Sequence, residues 1–211
     1  MDVTYNPTVF DVTSMAEAQA IILTPEDGLS PTDRWATETP YLGELIQERF
    51  RLGQDSVVLD YGCGVGRLSK ELIQRTGCRV VGVDISLNMR ILAPRYVESA
   101  RFSAVSPEVL RLLVDRGMSF DVGLVVWVLQ HCWKVREDIE LLRQALPGGQ
   151  LFVLNEERRC VPVSEGGWVD DGLDVSHELR GSFSPRSQGR LPPEISSKSS
   201  RERTYWRIYQ A

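Results

Sequence analysis

The residues able to do chemistry are few, and most of them lie between positions 60 and 132. Asp60-Tyr61-Gly62-Cys63-Gly64-Val65-Gly66 places an acid and three glycines at alternate positions. Glycines in such a run let the backbone turn sharply and approach a ligand closely, because any Cβ would intrude. A dinucleotide-binding loop of the G-x-G-x-x-G kind needs its third glycine at position 67, and Arg67 stands there. The spacing is D-x-G-x-G-x-G instead. A second acid, Asp84, closes the next apolar run. His131 and His177 are the two imidazoles. Cys63, Cys78, Cys132 and Cys160 show no C-x-x-C spacing, so neither a zinc site nor a thioredoxin-like motif is indicated. The acidic stretch from Asp170 to Glu178 holds His177 and reads as a solvated helix start in preference to a metal cluster.

These residues are strung on an alternating frame. Val57-Val58-Leu59-Asp60-Tyr61 is a short apolar run feeding the glycine turn, as a buried parallel strand does. A helix with Leu68, Leu72 and Ile73 on one face stops at Gly77, and Arg79 to Asp84 follows as a second strand. Ser86 caps the next helix, which Pro94 is expected to kink or interrupt. Ala100 to Val105 is a weaker third strand, and Ser106-Pro107-Glu108 starts another helix. Phe120 to Val128 is the strongest strand, followed by a helix around Ile139 and Leu142, the breaker Pro147-Gly148-Gly149 and a fifth strand, Gln150 to Asn155. Such βαβ repetition predicts a parallel sheet covered on both faces. Residues 14–23 and 32–52 read as helices, the second interrupted by Pro40. Residues 184–202 read as a long loop. Thr204 to Tyr209 alternates as a strand that adds antiparallel to the sheet.

A chain of 211 residues with 42% apolar and 25% charged content can build a real core, which excludes a disordered, collagen-like or disulfide-stapled class. The formal net charge of −5 argues against a polyanion-binding surface for the whole chain. Residues 184–211 are locally basic, however, with Arg186, Arg190, Lys198, Arg201, Arg203 and Arg207 against Glu194 and Glu202. The opening Met-Asp-Val-Thr-Tyr-Asn-Pro lacks the pattern of a signal peptide, and no window approaches a membrane span, so a cytoplasmic protein without membrane contact is expected.

The glycine motif resembles the cofactor loop of class I S-adenosylmethionine-dependent methyltransferases. Asp84, Phe120-Asp121-Val122, Val128-Leu129-Gln130-His131 and Leu146-Pro147-Gly148-Gly149 extend that resemblance across residues 55–157. It implies a Rossmann-like, doubly wound α/β fold with a mainly parallel seven-stranded sheet. Residues 1–54 would form an N-terminal helical lid, and residues 55–211 the cofactor-binding domain. The cofactor would be S-adenosyl-L-methionine and the product S-adenosyl-L-homocysteine. By the resemblance, Gly62, Cys63, Gly64 and Gly66 line its methionine part with Asp60 near the amino group. Asp84 binds both ribose hydroxyls, a task suited to a carboxylate. Ile85 and Met89 flank the adenine, and Trp127 joins the cofactor wall. Many members carry an Asp after the third strand to meet the adenine amino group. Val105 holds that place here, which leaves Ala104 to Ser106 or a neighbouring side chain to make the contact. Trp35 and Tyr41 are candidates for covering the sulfonium, and equally for simple helix packing.

The end of the fourth strand faces the transferring methyl in this fold. The Asn/Asp-Pro-Pro-aromatic run of enzymes that methylate amino groups of DNA bases or glutamine is absent, and Cys132 follows His131 where a cytosine-C5 enzyme would have Pro-Cys. His131 is the candidate catalytic base, with bracing of the loop as its other reading. The expected acceptor is an O or N nucleophile on a small molecule. A cofactor-binding protein without transferase activity and a transferase acting on RNA or protein are the alternatives.

Overall fold

The computed structural model describes residues 4–211; Met1, Asp2 and Val3, the first residues of the opening stretch, lie outside it. The five expected parallel strands form: β1 (Val57–Tyr61), β2 (Arg79–Val83), β3 (Phe102–Val105), β4 (Val122–Val126) and β5 (Gln150–Glu156). A small hairpin follows, β6 (Val161–Pro162) and β7 (Trp168–Val169), and β8 (Ser184–Gly189) and β9 (Thr204–Gln210) complete the main sheet. Its order is β3-β2-β1-β4-β5-β9-β8, and β9 is antiparallel to both of its neighbours. β8 therefore points the same way as the five parallel strands. The sheet is Rossmann-like, seven-stranded and mainly parallel, as expected.

Among the described residues eight α-helices surround it: α1 (Met15–Ile22), α2 (Pro31–Phe50), α3 (Arg67–Thr76), α4 (Leu87–Val97), α5 (Pro107–Asp115), α6 (Val135–Ala145), α7 (Val175–Ser182) and α8 (Lys198–Arg203). Successive side chains of a strand point to opposite faces, and the core divides accordingly. Val58, Val80, Leu124 and Phe152 pack with Leu42 and Ile46 of α2 and Leu68 and Leu72 of α3. Leu59, Val81, Val125 and Val153 pack on the other face with Leu110 of α5, Ile139 and Leu142 of α6 and Leu179 of α7. That alternation sends Asp60 toward α3 and Tyr61 toward α6. Two adjacent residues of one strand thus serve opposite layers.

Three local differences from the sequence reading have physical causes. Pro40 and Pro94 sit inside continuous helices. The capping box of Ser30 and Asp33 starts α2, and the packing of its apolar stripe outweighs the one backbone bond each proline removes. The stretch 184–202 contains β8 and α8 where a loop was expected. Ser-Pro-Arg-Ser-Gln-Gly carries no apolar alternation because β8 is a largely exposed edge strand, with a register shift between Pro185 and Ser187. Proline and irregularity belong at such edges. Finally, β4 stops at Val126, because Trp127 adopts φ +62° and turns the chain out of the strand.

Candidate functional site

Strand order reverses between β1 and β4, and in open parallel sheets a ligand crevice forms at the carboxyl ends on either side of such a switch. A cavity of 880 Å³ lies there, a size suited to a small-molecule site. Its floor is the turn after β1. Gly62, Gly64 and Gly66 all have positive φ, at 75°, 55° and 80°. A Cβ on Gly62 would meet Val128 Cγ2 at 2.2 Å, and one on Gly64 would meet Ile22 Cδ1 at 2.7 Å. The glycines therefore let the end of β4 and the end of α1 close onto the turn. Gly66 serves a different contact: its Cβ would strike Val97 of α4, behind the turn.

Asp84 is aimed by the backbone. Its Oδ2 accepts from the Gly64 N–H at 2.8 Å and its Oδ1 from the Ser86 N–H at 2.9 Å. Each oxygen keeps a further lone pair toward the cavity it lines. Burial nonetheless pushes its carboxyl above the usual range, because partial removal from water outweighs the two N–H donors. Ile85, exposed by half, and Met89 line the same end, with Pro107 and Glu108 opposite. Cys63 is buried, and Gly82 leaves the space its sulfur occupies. Asp60 lies behind the turn, accepting from Ser69 Oγ at 2.6 Å, and burial raises it to about 6. Asp60, Cys63, Gly66, Ala104 and Val105 do not line the cavity, whereas Gly62, Gly64, Asp84, Ile85, Met89, Trp127 and His131 do.

At the other end, the backbone turn at Trp127 leads into His131. The imidazole Nδ1 lies 2.6 Å from the carbonyl oxygen of Cys160. A carbonyl only accepts, so Nδ1 carries the proton and Nε2 is the basic nitrogen of the neutral ring. Burial, reinforced by Arg159, lowers this histidine below its ordinary value, although the Cys160 carbonyl favours the charged ring. Phe10 and Trp168 flank it, with ring centroids 5.8 and 5.1 Å away. Cys132 is pushed well above the ordinary thiol range by burial and by Asp138, so it does not supply a thiolate. Asp138 in turn accepts from the Tyr61 hydroxyl.

The sequence reading missed the remaining walls. Ile22, Pro25, Glu26 and Arg34 from the N-terminal region and Arg203 from α8 line the mouth. Glu26 accepts from Arg203 at 2.9 Å, and Asp27 accepts from Ser199 at 2.9 Å, tying the two ends of the chain together. Trp35 and Tyr41 do not line the cavity: Trp35 packs on Tyr96, and Tyr41 against the core beside α2. Below the mouth, buried Glu38 accepts from Arg67 at 3.0 Å, from Trp127 Nε1 at 2.9 Å and from Arg34 at 3.4 Å. Glu108 carried a signal, since Ser106-Pro107-Glu108 opens α5 at the crevice; Phe10 and Trp168 carried none, because their placement depends on long-range pairing.

Residues 58–149 match a family described as methyltransferase domain. Among solved structures, the PH0226 protein from Pyrococcus horikoshii OT3 is 21% identical, over 93% of this chain and 99% of that one, at a TM-score of 0.64. The N-methyltransferase NodS from Bradyrhizobium japonicum WM9, in complex with S-adenosyl-L-homocysteine, is 18% identical over 92% and 96% at 0.61. The cyclase SpnF is 16% identical over 81% and 80%, also at 0.61. No curated protein sequence matches. The chain therefore has the class I methyltransferase fold, and residues 58–149 resemble a methyltransferase domain.

Proposed function

We propose that this protein binds S-adenosyl-L-methionine in the crevice and transfers its methyl group to an O or N nucleophile of a small molecule, leaving S-adenosyl-L-homocysteine. The observation that carries the reading is Asp84, whose carboxylate is aimed into the cavity by Gly64 and Ser86 at the edge of a positive-φ glycine turn. The residues fit the cofactor: a paired acceptor for two ribose hydroxyls, the apolar Ile85 and Met89 for a purine, and a turn with no side chain in the way. Glu108, two residues beyond Ser106, takes the place of the missing adenine acid. Asp60 acts through the turn, since it stands behind it.

When bound, the cofactor supplies an activated methyl group, so the protein's part is to bind, orient and exclude water. Gly62 and Gly64 admit the ligand's backbone-like portion, and Trp127 walls the transfer position. His131 takes the acceptor's proton at Nε2 where one must leave. Residues 1–54 act as a lid on the domain 55–211, supported by Ile22 over Gly64 and the Asp11–Ser86 hydrogen bond at 2.9 Å. Within the basic C-terminal segment, the cations that are already paired favour a small acceptor over RNA. Arg190 is paired with Glu157, Arg203 with Glu26, and Arg207 with Gln188 and the Tyr205 ring. Among the described residues no helix is long and apolar enough to cross a membrane.

One neighbour of the same fold is a cyclase, and a fold does not fix a reaction. Calorimetry with S-adenosyl-L-homocysteine is thus the first test and is expected to give binding. Folded protein that binds none at millimolar ligand overturns the reading; binding with no methylated product from any acceptor would favour the alternative of a cofactor-binding protein.

A further inference from the structure

We propose that the compartment around His131 accepts a planar aromatic molecule carrying a ring hydroxyl, and that this hydroxyl is the methylated atom. The inference rests on the methyltransferase reading above and narrows its acceptor.

Three rings surround one another at this end of the cavity. Phe10, His131 and Trp168 have centroids 5.8, 5.1 and 6.0 Å apart, with interplanar angles between 55° and 63°. Trp133, stacked on Tyr5, lines the same cavity. Trp168 and Trp133 are 47% and 44% exposed, although both line the cavity. Large apolar faces left in contact with water at a cavity mouth mark a binding surface. A flat ring covers such faces by stacking or edge contact, whereas a puckered aliphatic ring meets them poorly.

The polar groups choose the reacting atom. His131 has committed Nδ1 to the Cys160 carbonyl, so its acceptor is Nε2, which takes only a long 3.3 Å contact from the Gln130 side-chain nitrogen that an entering hydroxyl would replace. A basic nitrogen among aromatic rings suits a neutral O–H, which both donates a proton and supplies the attacking lone pair. An arylamine is already a neutral nucleophile and needs no base first. A carboxylate or phosphate group would need a cation. Arg159, whose charge is felt by this histidine, is spent on Asp171 at 3.0 and 3.1 Å and on the Leu129 carbonyl at 2.7 Å.

The step balances. The hydroxyl proton passes to His131 Nε2 while an oxygen lone pair forms the bond to the methyl carbon. The carbon–sulfur bond of S-adenosyl-L-methionine breaks with its electrons going to sulfur. The products are an aryl methyl ether, S-adenosyl-L-homocysteine and an imidazolium that returns its proton to water.

The test uses the full chain. S-adenosyl-L-homocysteine is titrated first; absence of binding here refutes the methyltransferase reading itself. With that ligand bound, 2-naphthol, cyclohexanol and 2-naphthoate are titrated by calorimetry and tryptophan fluorescence. We expect 2-naphthol to bind at least tenfold more tightly than either of the others. Trp168→Ala, at an exposed position, should cost roughly tenfold in 2-naphthol affinity with S-adenosyl-L-homocysteine affinity unchanged. With S-adenosyl-L-methionine, 2-naphthol should yield its methyl ether, and His131→Gln should lower kcat at least tenfold with KM held within twofold. Cofactor binding with no preference for 2-naphthol overturns the aromatic assignment. Bound 2-naphthol that is not methylated, or that His131→Gln methylates at the original rate, overturns the hydroxyl assignment.

Discussion

At the residue scale, Asp84 and His131 divide the work between binding and proton transfer. Removing the Asp84 charge deletes acceptors held by two backbone N–H groups. Charge-assisted hydrogen bonds contribute about 1.5–3 kcal/mol each, so Asp84→Asn should weaken S-adenosyl-L-homocysteine binding by roughly ten- to a hundredfold. Calorimetry checks the affinity, and an unchanged circular dichroism spectrum checks the fold. For His131 the direction of the pH effect follows from burial. Its folded value lies below the ordinary 6.5, so the base is neutral at and above that pH. The groups facing it are Phe10, Trp168, Gln130, the Cys160 carbonyl and Arg159. The acid limb of a kcat/KM profile should therefore have its midpoint below 6.5, and His131→Gln should abolish that limb. Linkage gives the matching stability term: the folded state binds fewer protons, so the contribution is full above 6.5 and is lost as pH falls through the folded value.

At the scale of elements, the glycine turn shows how a local sequence signal becomes a packing constraint. Gly62→Ala forces a Cβ into Val128 at a φ of 75°. Overpacking of this kind costs about 1–3 kcal/mol. Urea denaturation should register that loss, and Val128→Ala in the same chain should recover part of it. If Val128→Ala recovers nothing, the positive φ alone sets the cost. The turn, the strand that feeds it and Asp84 were legible because each depends on neighbours within a few residues. Strand β8 was not, since its pairing with β9 is made by backbone groups that Ser184 to Gly189 do not announce. The aromatic wall was hidden for a related reason. Phe10 and Trp168 meet only because Tyr5 pairs with Val163 and the Asn6 N–H donates to the Pro162 carbonyl. The role of α2 was half legible: its amphipathic stripe shows in the sequence, but not that Glu38 turns inward.

On the scale of the whole molecule, Glu38 joins three elements: α2, α3 through Arg67, and the turn after β4 through Trp127. Removing one member of a buried charge network leaves its partners uncompensated and costs about 3–5 kcal/mol. Glu38→Ala should lower stability by that order in a denaturant titration, and Glu38→Gln by less, because an amide oxygen still accepts from the Trp127 indole. A loss too small to resolve for both would mean that water replaces the network. The clasp of Glu26 with Arg203 is exposed on its arginine side, so it should contribute little to stability and should weaken as salt is raised.

The place of β9 between β5 and β8 also fixes an order in time. Translation delivers β8 before β9, yet β8 has no partner in the sheet until β9 exists. At roughly 5–20 residues per second, the edge of the sheet waits for residues 204–210 while β5 stands open to the wrong strand. The first residues of the chain wait as well, because Tyr5 has nothing to pair with until the ribosome has passed Val163. A nascent chain stalled before β9 should expose β5 to chaperones and aggregate on release, even though every residue of the glycine turn is already made.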